Sequence, residues 1–270
     1  MCMFLHNPLI WYYGQVTSCL DVGANLAATG RLEPWDSVLC QSQTQGRGQM
    51  RRTWISPPGN LYACLRLPYV EPFTQDCAAI AVGALLVTGL RDLGLEILLK
   101  WPNDLVVSSS EGVAKVGGIL IEERRGSILA GIGVNYVASP PSESLRKYAQ
   151  LPAKALCDLD LALVRQNTSA SLWLNLVRVV ISTYKDGQAF KNLWPQWFTR
   201  YVIWRGREVE IVEHGVPLQG IFHGIGPKGG ALLCTAQGSV VEVTGGSLQL
   251  ARCASCWLFG ALGFSFKKMS

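Results

Sequence analysis

The chain has 270 residues, 49% hydrophobic and 16% charged, which is enough apolar material to bury a core in one large domain plus a small one and too little charge for a disordered protein. Its net charge of +5 suits phosphate-bearing substrates or an acidic protein partner, and falls short of the dense basic surface that nucleic-acid binding needs. Nine scattered cysteines, an odd number, exclude a small disulfide scaffold and point to reduced thiols in a cytosolic protein.

The first 30 residues carry no lysine or arginine, so the basic start of a secretory signal is missing. No apolar run reaches the roughly 18–20 residues that span a bilayer. A cytoplasmic location with no membrane partner is expected. Residues 9–16 form an opening strand, and 18–29 a short helix that Ser18 can cap and Gly30 can close. Residues 37–43 and 61–67 are strands that lead into and out of a glycine-arginine loop. Residues 74–93 form a helix with a broad apolar face, stopped at Gly94. A short strand at 96–100 is broken by Pro102 and resumed by 105–107, a turn follows at 108–112, and strands at 115–123 and 127–135 flank a charged turn. After a loop over 140–152, residues 159–186 are largely helical, and 188–201 are a second helix kinked or restarted near Pro195.

From residue 202 the texture changes to short β runs at 208–212, 219–226, 231–235 and 239–243, which suggests a small barrel of roughly 50 residues. The expected architecture is therefore α+β: a mixed, largely antiparallel sheet with helices over 1–201, a β-barrel over 202–250, and a tail over 251–270 with no functional reading. Gly224, Gly226 and Gly229 spell Gly-x-Gly-x-x-Gly, but a strand-like Ala-Leu-Leu-Cys follows instead of a helix, so they mark a hairpin turn and not a dinucleotide site. Cys253 and Cys256 form a Cys-x-x-Cys with no second pair or nearby histidine to complete a zinc site. The three histidines, His6, His214 and His223, lie far in sequence from the arginine- and lysine-bearing stretches between residues 43 and 135.

The chemistry concentrates in residues 43–62. Gly46 and Gly48 flank Arg47, Arg51 and Arg52 follow, and Trp54 precedes a Ser-Pro-Pro-Gly turn. Guanidinium forks match carboxylate and phosphate oxygens, glycine lets backbone approach a ligand, and an indole offers a face to a purine or a cation. A solvated basic loop is the bland alternative. Its company shifts the balance: residues 100–104 read Lys-Trp-Pro-Asn-Asp, 115–122 Lys-Val-Gly-Gly-Ile-Leu-Ile-Glu, and 131–135 Gly-Ile-Gly-Val-Asn.

In this order and at these separations the four segments resemble those of the biotin protein ligases, which make biotinyl-adenylate and pass biotin to a lysine of a carrier protein. The resemblance runs from about residue 17 to 250 and includes Gly-Pro-Lys-Gly-Gly-Ala-Leu-Leu at 226–233 and Gly-Gly-Ser-Leu at 245–248. It implies a class II synthetase-like catalytic domain, with ATP and biotin as substrates, Mg²⁺ alongside the phosphates, and a biotin carboxyl carrier protein of acetyl-CoA carboxylase or another biotin-dependent carboxylase as partner. About 16 residues precede the match, too few for an amino-terminal winged helix, so a monofunctional enzyme without a DNA-binding domain is expected. A sheet-edge homodimer stays open.

The resemblance also assigns roles. Arg47 and Lys115 are to contact the biotin carboxylate and the α-phosphate in a shared cavity. Gln43, Gly46, Gly48, Gln49, Gly117 and Gly118 are to line the biotin site. Ser18, Cys19 and Leu20 stand where the family has Ser-Thr-Asn, two of the three departing from it. Arg52, Trp54, Asn103 and Asn135 are to serve the nucleotide. Asp104 is the candidate Mg²⁺ ligand and also the candidate base for the carrier lysine, because with a pKa of about 10.4 fewer than roughly one such lysine in a thousand is neutral at pH 7. Core packing is the alternative for Trp54 and Trp101, and a turn cap for Asp104. Where many relatives carry arginine after Gly-Arg-Gly, this chain has Gln49, which predicts a leakier adenylate. Competing functions are a lipoate-protein ligase, which shares the adenylation logic, and a non-catalytic biotin sensor.

Overall fold

A computed structural model describes residues 7–141, 151–159, 168–184, 187–213 and 216–251. His6, His214, Cys253, Cys256, the last nineteen residues of the tail, most of the 140–152 loop and the first half of the helix expected over 159–186 lie outside the described residues or largely so.

Seven strands form one mixed sheet: β1 (Ile10–Val16), β2 (Ser37–Gln43), β3 (Leu61–Leu67), β4 (Leu98–Lys100), β5 (Asp104–Ser109), β6 (Gly112–Arg124) and β7 (Ser127–Val134), in the order β1-β2-β3-β7-β6-β5-β4. Only β1 and β2 pair in parallel. The period-two side-chain alternation sorts each strand onto two faces. On one face Leu61, Ala63, Leu65 and Leu67 of β3 and Ile128, Ala130, Ile132 and Val134 of β7 join the main core. On the other, Tyr62, Cys64 and Leu129 pack beneath α1 (Cys19–Ala28).

The main core is covered by α2 (Ala78–Asp92), α3 (Ser169–Tyr184) and α4 (Gly187–Tyr201). Helix α2 is apolar nearly all round and is buried on nearly every side, as its sequence requires. It starts at Ala78, four residues later than expected, because 71–77 form turns. Pro195 does not interrupt α4: the loss of one backbone hydrogen bond is outweighed by burial of Phe190, Trp194 and Phe198.

The expectation that 105–107 resume the strand broken at Pro102 is corrected. The chain reverses over residues 101–103, and β5 runs antiparallel to β4, pairing Lys100 with Asp104. The second unit is a five-stranded antiparallel sheet of β8 (Glu208–Glu213), β9 (Val216–Ile225), β10 (Ala231–Cys234), β11 (Val240–Val243) and β12 (Ser247–Leu250), ordered β11-β10-β9-β8-β12. Its last strand was not expected from the sequence. The Gly224–Gly229 stretch is a hairpin turn, closed by Gly226 N–H to the Gly230 carbonyl at 2.8 Å. One hydrophobic core runs continuously under both sheets, and the buried Trp101 ties them by donating its indole N–H to the Gly229 carbonyl at 3.0 Å. No helix among the described residues is long and apolar enough to cross a membrane.

The expectation of reduced thiols is corrected at one place: Cys19 and Cys40 are joined as a disulfide, their Cα atoms 6.5 Å apart across α1 and β2. Cys64, Cys77, Cys157 and Cys234 are free.

Candidate active site

Between β2 and β3 the chain leaves the sheet and folds back on itself over the α1 face. Gly48 N–H donates to the Arg52 carbonyl at 2.7 Å, Trp54 N–H to the Gly46 carbonyl at 2.9 Å, and Arg47 bridges to Thr53. Gly46 has a packing reason, since a Cβ there would collide with the Trp54 carbonyl. The excursion turns at 49–51, with Gln49 half-buried, Met50 exposed at φ 54° and Arg52 exposed.

The returning segment lays Trp54 against two bare strand positions. A Cβ on Gly133 would lie 2.7 Å from the indole, and one on Gly118 3.4 Å from it. Lys115 arrives beside Trp54 because β6 bulges opposite Leu105 and Val106, which puts Lys115 on the same face as Gly118 despite their odd spacing. Its Nζ sits 5.3 Å from the centre of the Trp54 ring, a cation-π contact.

The same ammonium is 2.5 Å from Asp104 Oδ1, and Lys100 Nζ is 3.4 Å from Oδ2. Burial alone would push the Asp104 carboxyl up, but Lys115 and Lys100 outweigh it and hold the group below the ordinary aspartate value of 3.8. Burial pushes the Lys100 ammonium down, Asp104 partly restores it, and the charges of Lys115 and Arg52 lower it further. Two cations thus share one carboxylate, an excess of positive charge suited to phosphate.

Arg47 lies in a different cluster on the same sheet face. Its two terminal nitrogens meet both oxygens of Asp21 on α1 at 3.0 and 2.9 Å, and its Nε donates to Glu122 Oε1 at 3.4 Å. Arg124 closes a ring of four ion pairs, with Nη1 2.7 Å from Asp21 Oδ1 and Nε 2.7 Å from Glu122 Oε2, the latter without hydrogen-bond alignment. The hydrogen bond from Arg47 is the main reason the Asp21 carboxyl sits below its ordinary value. Gly118 and Glu122 are four residues apart along β6, on the order of 13 Å. Arg47 and Lys115 are thus each paired with a carboxylate of their own, in two clusters on one face of the sheet.

Gln43 bridges the start of α1 and the loop, its Oε1 accepting from Cys19 N–H at 2.9 Å and its Nε2 donating to Ser56 Oγ at 3.0 Å. Ser18 is buried at the N-cap of α1, but its side chain makes no capping hydrogen bond, contrary to the local expectation. Leu20 packs onto Gly131, where a Cβ would be 2.9 Å away. Asn103 donates to the Ile119 carbonyl at 2.7 Å and Asn135 to the Lys154 carbonyl at 3.2 Å, so both amide nitrogens brace backbone. Gly117 allows β6 to pass close to the Gly133 carbonyl, 2.7 Å from a hypothetical Cβ.

Two roles given to Asp104 fit the structure poorly. Both its oxygens are paired with ammonium groups, so Asp104 offers Mg²⁺ no free oxygen. A carboxylate stabilised by two cations is also a weak proton acceptor. The sequence reading missed Asp21, Glu122, Arg124 and Lys100 as site residues. Lys100 and Glu122 lie inside the quoted motifs, a usable signal, whereas Asp21 and Arg124 are 103 residues apart and only the fold joins them.

Residues 28–136 match the biotin/lipoate A/B protein ligase family. The chain is 27% identical over 232 residues to the bifunctional ligase/repressor BirA of Escherichia coli (strain K12), an alignment covering 82% of this chain and 68% of that protein. It is 27% identical over 212 residues to the biotin acetyl-CoA-carboxylase ligase of Paracoccus denitrificans, covering 73% of this chain and 82% of the relative. In fold it is similar to the biotin protein ligase from Aquifex aeolicus in complex with biotin and ATP, with a TM-score of 0.70 at 22% identity over 91% of this chain and 99% of that one.

Proposed function

We propose that the chain, which carries a biotin/lipoate A/B protein ligase domain over residues 28–136, uses ATP to join biotin to a lysine of a biotin carboxyl carrier protein. In the first step a biotin carboxylate oxygen attacks the α-phosphorus of ATP, and pyrophosphate leaves. In the second, the lysine amine attacks the carbonyl of the mixed anhydride, AMP leaves, and an amide forms. The first step brings two anions together, which only concentrated positive charge can offset.

One observation carries the reading: Lys115 and Lys100 converge on Asp104 beneath Trp54, within reach of the charge of Arg52. We assign Lys115 and Arg52 to the phosphates, Trp54 to the nucleotide, and Asp104 to holding Lys115 in register. Arg47 is assigned to the substrate anion, and Gln43, Gly46, Gly48, Ser18, Cys19 and Leu20 to the wall of the biotin site. Asn103 and Asn135 shape the nucleotide side through backbone. Mg²⁺ enters on the phosphates of ATP, with no protein ligand assigned.

Pyrophosphate release is the deciding assay. It is expected only when biotin and ATP are both supplied, and replacing biotin by lipoate should abolish it. Release with lipoate alone would favour a lipoate ligase, and binding of biotin with no release would favour a sensor.

A further inference from the structure

The Arg47 guanidinium is engaged by Asp21 at two points, the same fork-to-fork geometry that a substrate carboxylate or phosphate would use. The two anions therefore compete for one fork. Resting on the ligase reading, we propose that Asp21 is a positioning residue that retains Arg47 on α1 and yields it to the incoming substrate anion.

The rest of the ring makes the exchange feasible. When Arg47 leaves, Asp21 keeps Arg124 at 2.7 Å, so no half-buried carboxylate is stranded. Glu122 likewise keeps Arg124 as its neighbour. The ring left behind, with Asp21, Glu122 and Arg124, carries a net charge of −1 and attracts Arg47 back once product departs. The loop itself need not move, because backbone hydrogen bonds between 46 and 54 and between 48 and 52 fix both sides of Arg47. Water reaches the ring: Arg47, Asp21 and Arg124 side chains are 28%, 32% and 35% exposed, and Asp21 and Arg124 border an open pocket of about 440 Å³.

Asp21→Asn keeps the shape and removes the charge. In the full-length protein, modification of Arg47 by phenylglyoxal, followed by peptide mass spectrometry, should then speed up by about threefold or more. The KM for biotin in pyrophosphate release should fall by a similar factor with kcat little changed, and the gap from wild type should narrow at high salt. Asp21→Glu should return both values toward wild type. Arg124→Gln, which leaves Asp21 with Arg47 alone, should move them the opposite way, so the idea stays testable if Asp21→Asn folds poorly.

Equal Arg47 labelling in wild type and Asp21→Asn would overturn the proposal, as would a KM that rises in Asp21→Asn. Should wild type release no pyrophosphate at all, the ligase reading falls by itself. Protection of Arg47 by inorganic pyrophosphate then decides: protection at lower concentration in Asp21→Asn supports retention by Asp21, and equal protection refutes it.

Discussion

Lys115 reaches Asp104 across neighbouring antiparallel strands, Nζ to Oδ1 at 2.5 Å, and this contact fixes the lysine beneath the face of Trp54. The β6 bulge turns Lys115 to the Gly118 face, and the β4–β5 hairpin delivers Asp104 and Lys100 together.

Removing the shared anion should expose the strain of gathering like charges. Asp104→Asn leaves Lys100, 2% exposed, without this counter-charge, and a loss on the order of 3 kcal/mol in urea unfolding is expected. A loss below about 1 kcal/mol would mean that Asp104 and the lysines hardly interact.

The same pair gives stability an acid limb. The folded Asp104 carboxyl is held below 3.8 by Lys115 and Lys100 against the opposing effect of burial. Its contribution is therefore complete above 3.8 and is lost as pH falls through the lower folded value. The stability gap between wild type and Asp104→Asn should be flat near neutral pH and close in more acidic solution; a gap that widens on acidification would contradict the sign.

Gly133 and Gly118 both face Trp54 but at different distances, 2.7 and 3.4 Å from a hypothetical Cβ. Gly133→Ala must displace the indole, with an expected loss of about 1–3 kcal/mol, altered tryptophan fluorescence and a raised KM for ATP. Gly118→Ala meets ordinary contact and should leave all three nearly unchanged. Equal effects from the two substitutions would remove Trp54 from its assigned place.

Asn60 anchors the chain just after β7. Its Oδ1 accepts from the N–H groups of Tyr136, Val137 and Ala138 at 2.9, 2.9 and 3.0 Å, and its Nδ2 donates to the Ala138 carbonyl at 2.8 Å. Asn60→Ala abandons all four and should destabilise the fold by about 3 kcal/mol in denaturant unfolding. Retention of wild-type stability would show that water replaces the amide without loss.

Gln49, at the turn of the loop, supplies no charge to retain an adenylate. Trapping free biotinyl-adenylate should recover more from wild type than from Gln49→Arg, and equal release would show that the loop charge at this position does not govern retention.

Much of the local structure was legible because local rules govern it. The strands 37–43 and 61–67 match β2 and β3, since apolar runs bounded by loops leave little choice. Gly30 at φ 67° and Gly94 at φ 84° end α1 and α2 as their sequence positions suggest. The motifs around Arg47, Lys100–Asp104 and Lys115 were visible as charge and glycine at fixed separations.

Where the charges go was not legible. Asp21 looks like an ordinary first-turn acid of a helix, and Arg124 like part of a charged turn; packing α1 over β2, β3 and β7 brings Asp21 to both Arg124 and Arg47. Trp101 likewise stands in a motif beside Asp104 yet belongs to the joint between the two sheets. The sequence alone determined which residue types are available and where the chain turns, because propensity and periodicity act over a few residues. The tertiary structure alone decided which carboxylate each cation meets, because Coulomb pairing depends on distances set by sheet order and strand register, contacts that a linear pattern does not encode.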